Sequence, residues 1–196
     1  KYQSESFLKI KSSDQIKIIL IGRINNQKNI IGAIKAIKFL SKTYKKKKIL
    51  LDIFGRIDDR NYYLKCIKNL EKINSSLIKI TFKPPKNNWL SFVNNYDLLL
   101  MPSYFEGMSN VLIESMSAGL LVCCSDIPEN RNVIGEWCSE FTFDPNNPEE
   151  IAKSIKNLLN SDNSYLNDLK RIGFERFIKN YSLKKLAYKY YSLLKS

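Results

Sequence analysis

Leu98-Leu-Leu-Met-Pro-Ser-Tyr-Phe-Glu-Gly-Met-Ser-Asn-Val-Leu-Ile-Glu-Ser-Met-Ser-Ala-Gly119 is the stretch around which this sequence is organised. Leu98 to Met101 is wholly apolar and reads as a buried parallel strand. Gly119 is a natural helix stop, and the residues ahead of it read as a short helix with Glu114 in its first or second turn. A loop carrying Glu106 and Gly107 joins the two. Such a loop delivers the chain to a helix N-terminus, where free backbone N–H groups collect and an anion is welcome.

The two glutamates ask for partners. Glu114 lies among Val111, Leu112, Ile113 and Met116, so its helix is apolar nearly all round and is expected to be buried. A buried carboxylate is costly unless paired or hydrogen-bonded. A capping box would need Ser or Thr three residues earlier, and Val111 stands there. Glu106 has Ser103 at that offset, but Gly107 follows at once and disfavours a helix. An ionised carboxylate accepts several donors, which suits a ligand rich in hydroxyls. On these residues alone, a ligand site and a set of structural polar groups are evenly matched.

Outward from this stretch, strand and helix alternate. Ile16 to Ile21 reads as a first strand ending at Gly22-Arg23, and Asn29 caps a helix carrying Ile30, Ala33, Ile34, Ile37 and Leu40 at helical spacing. Ile49 to Phe54 is a second strand stopped by Gly55, followed by a helix with Tyr63, Ile67, Leu70 and Ile73. Ile78 to Phe82 is a third strand broken by Pro84-Pro85, and Trp89 to Asn95 a short helix before Leu98. Beyond Gly119 come strands at Leu121 to Cys124 and Phe141 to Phe143 around a brief helix at Glu129 to Ile134. From Pro148 the chain reads as helical, with breaks near Asp162 and Ser182. This is the α/β pattern of a parallel sheet covered on both faces.

Strand composition suggests the order. The first, fourth and fifth runs are the most continuously apolar, whereas the third and sixth alternate with Lys79, Thr81 and Thr142 as edge strands do. A doubly wound, Rossmann-like, six-stranded sheet in the order 3-2-1-4-5-6 follows. In that order the first and fourth strands are neighbours at the reversal point, with a ligand crevice outside their carboxyl ends. Arg23 and Lys28 converge there with the Glu106 to Glu114 segment. Arg offers a fork to phosphate oxygens and Lys a mobile charge, so their place favours an anion role over chance surface basicity. The loop from Gly22 to Lys28 lacks the glycines of a dinucleotide fingerprint and is no Walker loop, and Asp58-Asp59 is a turn or helix start rather than an Asp-x-Asp metal motif. A diphosphate held by Arg, Lys and helix amides, without a metal, is the expectation.

At 196 residues one domain over 1–196 is the expected count. The net charge of +13 is spread along the chain, and only Lys45 to Lys48 form a run, read as a solvated turn. Attraction to anionic lipid or acidic substrates stays open. The absence of histidine removes His-based acid–base chemistry and His metal sites. The four cysteines show no zinc spacing and point to a reducing cytoplasm. No apolar run approaches the roughly 20 residues of a membrane span.

Three motifs together, Gly22-Arg-x4-Lys28-Asn, Ser103-x-x-Glu106-Gly-Met-x-Asn-Val-x-x-Glu114-x-Met-x-x-Gly119 and Ser125-Asp-Ile-Pro-x-Asn130-Arg, resemble the carboxyl-terminal domain of family-four retaining glycosyltransferases of the GT-B fold. The resemblance covers nearly the whole chain in order. It implies that Glu114 accepts both ribose hydroxyls of a nucleoside diphosphate sugar, and that Arg23 and Lys28 hold its diphosphate and stabilise the leaving group. Glu106 would meet hydroxyls of the donor sugar as a positioning group, with Gly107, Met108, Ser109 and Asn110 helping through their amides. Segments near Gly22, Gly55, Phe82 and Lys83 would complete the site and frame the base. No cofactor beyond the donor is implied. The acceptor, a glycan or lipid-linked glycan, would sit on an amino-terminal domain towards which a terminal helix over 181–196 (stripe Leu183, Leu186, Tyr190 and Leu194) packs; ordinary core packing is the alternative for that stripe. A cytoplasmic location, with peripheral contact at the inner membrane face, completes the expectation.

The sequence departs from the family in having Pro84-Pro85 where glycine is common, and Arg56 in place of a small residue. Other readings are a donor-binding subunit without its own catalysis, a sugar-nucleotide epimerase, and a basic nucleic-acid-binding module, the last without a recognition helix or an aromatic-studded sheet.

Overall fold

Ile18 is fully buried because it sits mid-sheet, in register with Leu51 on one side and Leu98 on the other. The computed structural model describes residues 14–182. Its strands are β1 (Gln15–Ile21), β2 (Lys48–Phe54), β3 (Ile78–Lys83), β4 (Leu98–Met101), β5 (Leu121–Ser125) and β6 (Thr142–Phe143). All pair in parallel, in the order β3-β2-β1-β4-β5-β6. The expected doubly wound topology is the one observed. β4 and β5 are buried at every residue, as continuous apolar runs require, while β3 at the edge has no fully buried position.

The helices are α1 (Ile30–Thr43), α2 (Arg60–Leu70), α3 (Asn110–Ala118), α4 (Pro128–Ile134), α5 (Pro148–Asn160) and α6 (Asn163–Tyr181). α1 packs on α2 and α5, and α3 on α4 and α6, so the sheet is sandwiched between two helical layers. Local chemistry sets the helix starts. Asn29 caps α1 by accepting from Gly32 N–H at 3.1 Å, Asp59 caps α2 by accepting from Tyr62 N–H at 2.9 Å, and Asn147 caps α5 ahead of Pro148. Gly119, at φ 65, ends α3 in the left-handed conformation.

Several expectations need correcting. Trp89 to Asn95 is not one helix but two 3-10 turns, Trp89–Ser91 and Val93–Asn95. Phe92 between them leaves helical dihedrals at φ −127 and ψ 8, and the bonds run i→i−3, from Phe92 N–H to Trp89 C=O at 3.2 Å and from Tyr96 N–H to Val93 C=O at 3.0 Å. Phe141 belongs to a 3-10 turn (Ser139–Phe141), leaving β6 two residues. α3 is not buried all round: the stripe Leu112, Ser115 and Met116 is buried, while Val111, Ile113 and Glu114 are only half-buried. Lys17 is exposed within β1. The polar leader and the expected terminal helix with Leu183, Leu186, Tyr190 and Leu194 lie outside the described residues.

Candidate active site

The site is built where three strands end. β1 runs into the loop Gly22 to Lys28, which stays beside the loop after β2: Gly22 N–H donates to Phe54 C=O at 3.0 Å and Ile24 N–H to Arg56 C=O at 2.8 Å. The two backbones come so close at Gly55 that a Cβ there would stand 1.8 Å from the Gly22 carbonyl oxygen. Only glycine fits. Gly22 in turn lets the Lys28 stem lie across it, since a Cβ would be 2.9 Å from Lys28 Cε. A 3-10 turn, Asn26–Lys28, then leads into Asn29. Asn29 adopts the left-handed conformation at φ 47, and its amide also donates to Pro145 C=O at 2.7 Å.

The loop after β4 is laced to this one. Tyr104 N–H donates to Gln27 C=O at 2.9 Å, and Gln27 Nε2 donates to Phe105 C=O at 2.9 Å. Lys28 Nζ lies 2.5 Å from Glu106 Oε1, in an ion pair whose side chains are only 14% and 9% exposed. The cationic and acidic stretches thus meet over one crevice at the reversal of strand order. Arg23 stands at the mouth, 3.2 Å from Asp58, which also binds Arg56 at 2.9 Å. A hydrogen bond from Arg56 and the charge of Arg23 hold the Asp58 carboxyl below its ordinary range. Two cations against one anion leave this corner net positive.

α3 begins at the same crevice without a side-chain cap. Ser109 at its cap position is buried, and its hydroxyl instead donates to Asn130 Oδ1 at 2.7 Å. Asn130 Nδ2 donates to Ser125 C=O at 2.9 Å, so one buried amide ties α3, α4 and the end of β5 together. The Ser109 hydroxyl therefore gives α3 no cap, but its carbonyl accepts from Leu112 and Ile113 N–H at 3.0 and 3.2 Å. Asn110 N–H donates to Met108 C=O at 2.9 Å, which leaves Val111 N–H as the first-turn amide open to an anion. Met108 and Asn110 are exposed, and around Gly107 a Cβ would meet nothing within 4 Å. Glu114, in the second turn, accepts from Trp89 Nε1 at 2.6 Å. That bond satisfies one carboxylate oxygen.

The remaining expected residues divide. Phe82 is half-buried inside β3 with its ring T-shaped against Tyr63, 5.0 Å between centroids, a packing role. Lys83 ends β3, and its carbonyl accepts from Gly55 N–H at 3.3 Å, which places it beside the Gly22–Gly55 junction. Gln27, Asp58, Trp89 and Asn130 hold the site together. Of these, the sequence signals only Asn130, within a motif, and Asp58, as a turn or helix start. Gln27 and Trp89 carried no signal, since a neutral amide and a lone indole fit any loop. Among the described residues no three acidic or cysteine side chains gather as a metal ion would require.

The family model for glycosyl transferases group 1 matches residues 3–176. The chain belongs to that family. It is 28% identical over 185 residues, 93% of this chain, to an uncharacterized glycosyltransferase of Methanocaldococcus jannaschii, of which it covers 46%. It is 25% identical over 154 residues, 78% of this chain, to the poly(glycerol-phosphate) alpha-glucosyltransferase of Bacillus subtilis, of which it covers 22%. Among solved structures, TarM of Staphylococcus aureus, crystallised with fondaparinux, alpha-GlcNAc-glycerol and UDP, superposes with a TM-score of 0.78 at 19% identity. All of this chain is matched there, and 38% of TarM. This member of the family therefore has the sheet of one half of a GT-B architecture and spans less than half the length of the two curated relatives named here.

Proposed function

We propose that this chain is the donor-binding half of a retaining glycosyltransferase, taking a nucleoside diphosphate sugar without a metal ion and serving polysaccharide or glycoconjugate synthesis with an acceptor domain outside this chain. The observation that carries the reading is the Lys28–Glu106 pair across the β1 and β4 loops, flanked by Arg23. A diphosphate arriving beside Gly22 finds Lys28 under 3 Å from the carboxylate it already neutralises. It can share that ammonium, displace Asp58 from Arg23, and approach the N-terminus of α3 at the Val111 amide. Preorganised donors of this kind stabilise charge growing on a leaving group more than charge already present, so they favour departure of the nucleoside diphosphate. Glu106, adjoining Lys28, is placed to accept sugar hydroxyls, and Glu114 has one oxygen outside its indole bond for a ribose.

The test is calorimetric titration of the chain with UDP-glucose, GDP-mannose and ADP-glucose, with EDTA present. At least one should bind, weakly. Arg23→Ala and Glu114→Ala should each weaken that binding about tenfold, the loss of one charge-assisted hydrogen bond. Affinities unchanged in both variants would overturn the reading, as would binding that needs added magnesium.

A further inference from the structure

Away from the crevice, α1 and α2 enclose a hollow of about 530 Å³ lined by Lys35, Lys38, Lys42 and Lys72 together with Phe39 and Ile73. No acidic residue lines it. Phe39 and Ile73 are half-buried and pack on the core, while the four lysines are exposed. Lys35, Lys38 and Lys42 form one stripe of α1, at spacings of three and four that set like charges side by side and disfavour the helix. Lys38 Nζ donates to the Lys72 carbonyl at 3.1 Å, and Lys42 Nζ lies 5.8 Å from the Phe39 ring centroid. Among the described residues none of the four is in an ion pair.

The basic surface continues past α1 into Lys45, Lys46 and Lys48, all exposed, at the end of the sheet where β2 starts. Parallel strands put that end opposite the crevice. Four lysines around an apolar floor, with three more beyond the end of α1, suit an anionic amphiphile: ammonium groups reach phosphates while Phe39 and the lysine stems meet hydrocarbon. A nucleic acid would use the charge but leave the apolar floor unexplained. The adjoining hollow shares Phe39 but carries Glu149 and Glu150 beside Lys153 and Lys156, so charge selects the first. Among the described residues no helix is long and apolar enough to cross a membrane.

We propose that the α1–α2 hollow docks the chain on a bilayer surface containing anionic phospholipid. Each lysine near such a surface contributes about fivefold in partitioning. The experiment is co-sedimentation of the chain with vesicles of phosphatidylcholine alone and with about a third phosphatidylglycerol, at physiological salt. Binding should occur only to the anionic vesicles. Lys35→Gln/Lys42→Gln/Lys72→Gln should lower it about a hundredfold, and Lys79→Gln/Lys86→Gln/Lys179→Gln, equal in charge, by less than about fivefold. Phe39→Ser, checked for an unchanged far-ultraviolet spectrum, should weaken vesicle binding while leaving any binding of inorganic phosphate as it was. Equal losses in the two triple variants would reduce the effect to diffuse net charge and overturn the proposal. So would vesicle binding indifferent to Phe39→Ser, or binding of single-stranded DNA that the first triple alone abolishes while vesicles stay bound. Arg23→Ala should leave vesicle binding intact, which separates this proposal from the reading of the crevice.

Discussion

Glu114 shows how a single side chain is prepared for a ligand. It is half-buried, and one of its oxygens is already held by the Trp89 indole at 2.6 Å. A carboxylate fixed in this way cannot swing into the open crevice and loses less rotamer freedom when a second donor arrives. Trp89→Phe removes the indole N–H but also the fused five-membered ring, so at this 5% exposed side chain it loosens the packing as well, and the loss of overall affinity alone does not separate the two effects. If Glu114 reads a ribose, the variant should bind the preferred nucleotide sugar five- to tenfold more weakly, about 1 to 1.4 kcal/mol. The diagnostic measurement is the same titration with the 2′-deoxyribose donor. A positioning role narrows the preference for ribose, whereas a purely structural role weakens both ligands alike.

At the scale of an element, α1 depends on a residue that is also its tether. Asn29 caps the helix, occupies a left-handed conformation at φ 47, and donates to Pro145 C=O at 2.7 Å in the loop before α5. Asn29→Ala removes the cap and the tether and puts a less tolerant residue at positive φ, so it should cost about 2 to 4 kcal/mol in urea unfolding. Asn29→Gly relieves the backbone and recovers part of that loss; a glycine variant no better than alanine would remove the left-handed conformation from the account. The cap was legible in the sequence because Asn ahead of an apolar stripe is a local signal, and so was the sheet order, because burial imposes apolar continuity on β4 and β5. The crevice followed from that order alone. The Trp89–Glu114 and Gln27–Phe105 bonds were not legible, because each joins residues from different connections through groups that have many alternative partners. Trp89 to Asn95 is ambiguous in the sequence for a related reason: its apolar spacing serves two tight turns as well as one helix.

Across the whole molecule, the four cysteines report on whether the two halves of the sheet unfold together. Cys66 lies in α2 beside the β3 edge, Cys123 and Cys124 in β5, and Cys138 just before β6; all four are free and buried. Burial pushes Cys66 and Cys123 up to about 12, and Cys124 and Cys138 higher still than an ordinary thiol. Thiolate is the reactive form, so the native chain should resist a thiol reagent at pH 8 through both exclusion and protonation. The sign of the pH dependence follows. Thiols that ionise near 9.0 when unfolded but near 12 when folded add stability below that window and lose it as pH climbs through it, so the fold should weaken in alkali. Pulse labelling with mass spectrometry in rising urea then distinguishes two architectures. One continuous core running from Ile49 of β2 through Ile18 and Leu98 to Val122 of β5 predicts that all four thiols become reactive at one urea concentration. Early labelling of Cys66 with the other three still protected would show the β2–β3 edge opening as a separate unit. The β1–β4 pairing and the loop-to-loop ties at Gln27 and Lys28 would then still hold those two sides of the crevice together while that edge is open.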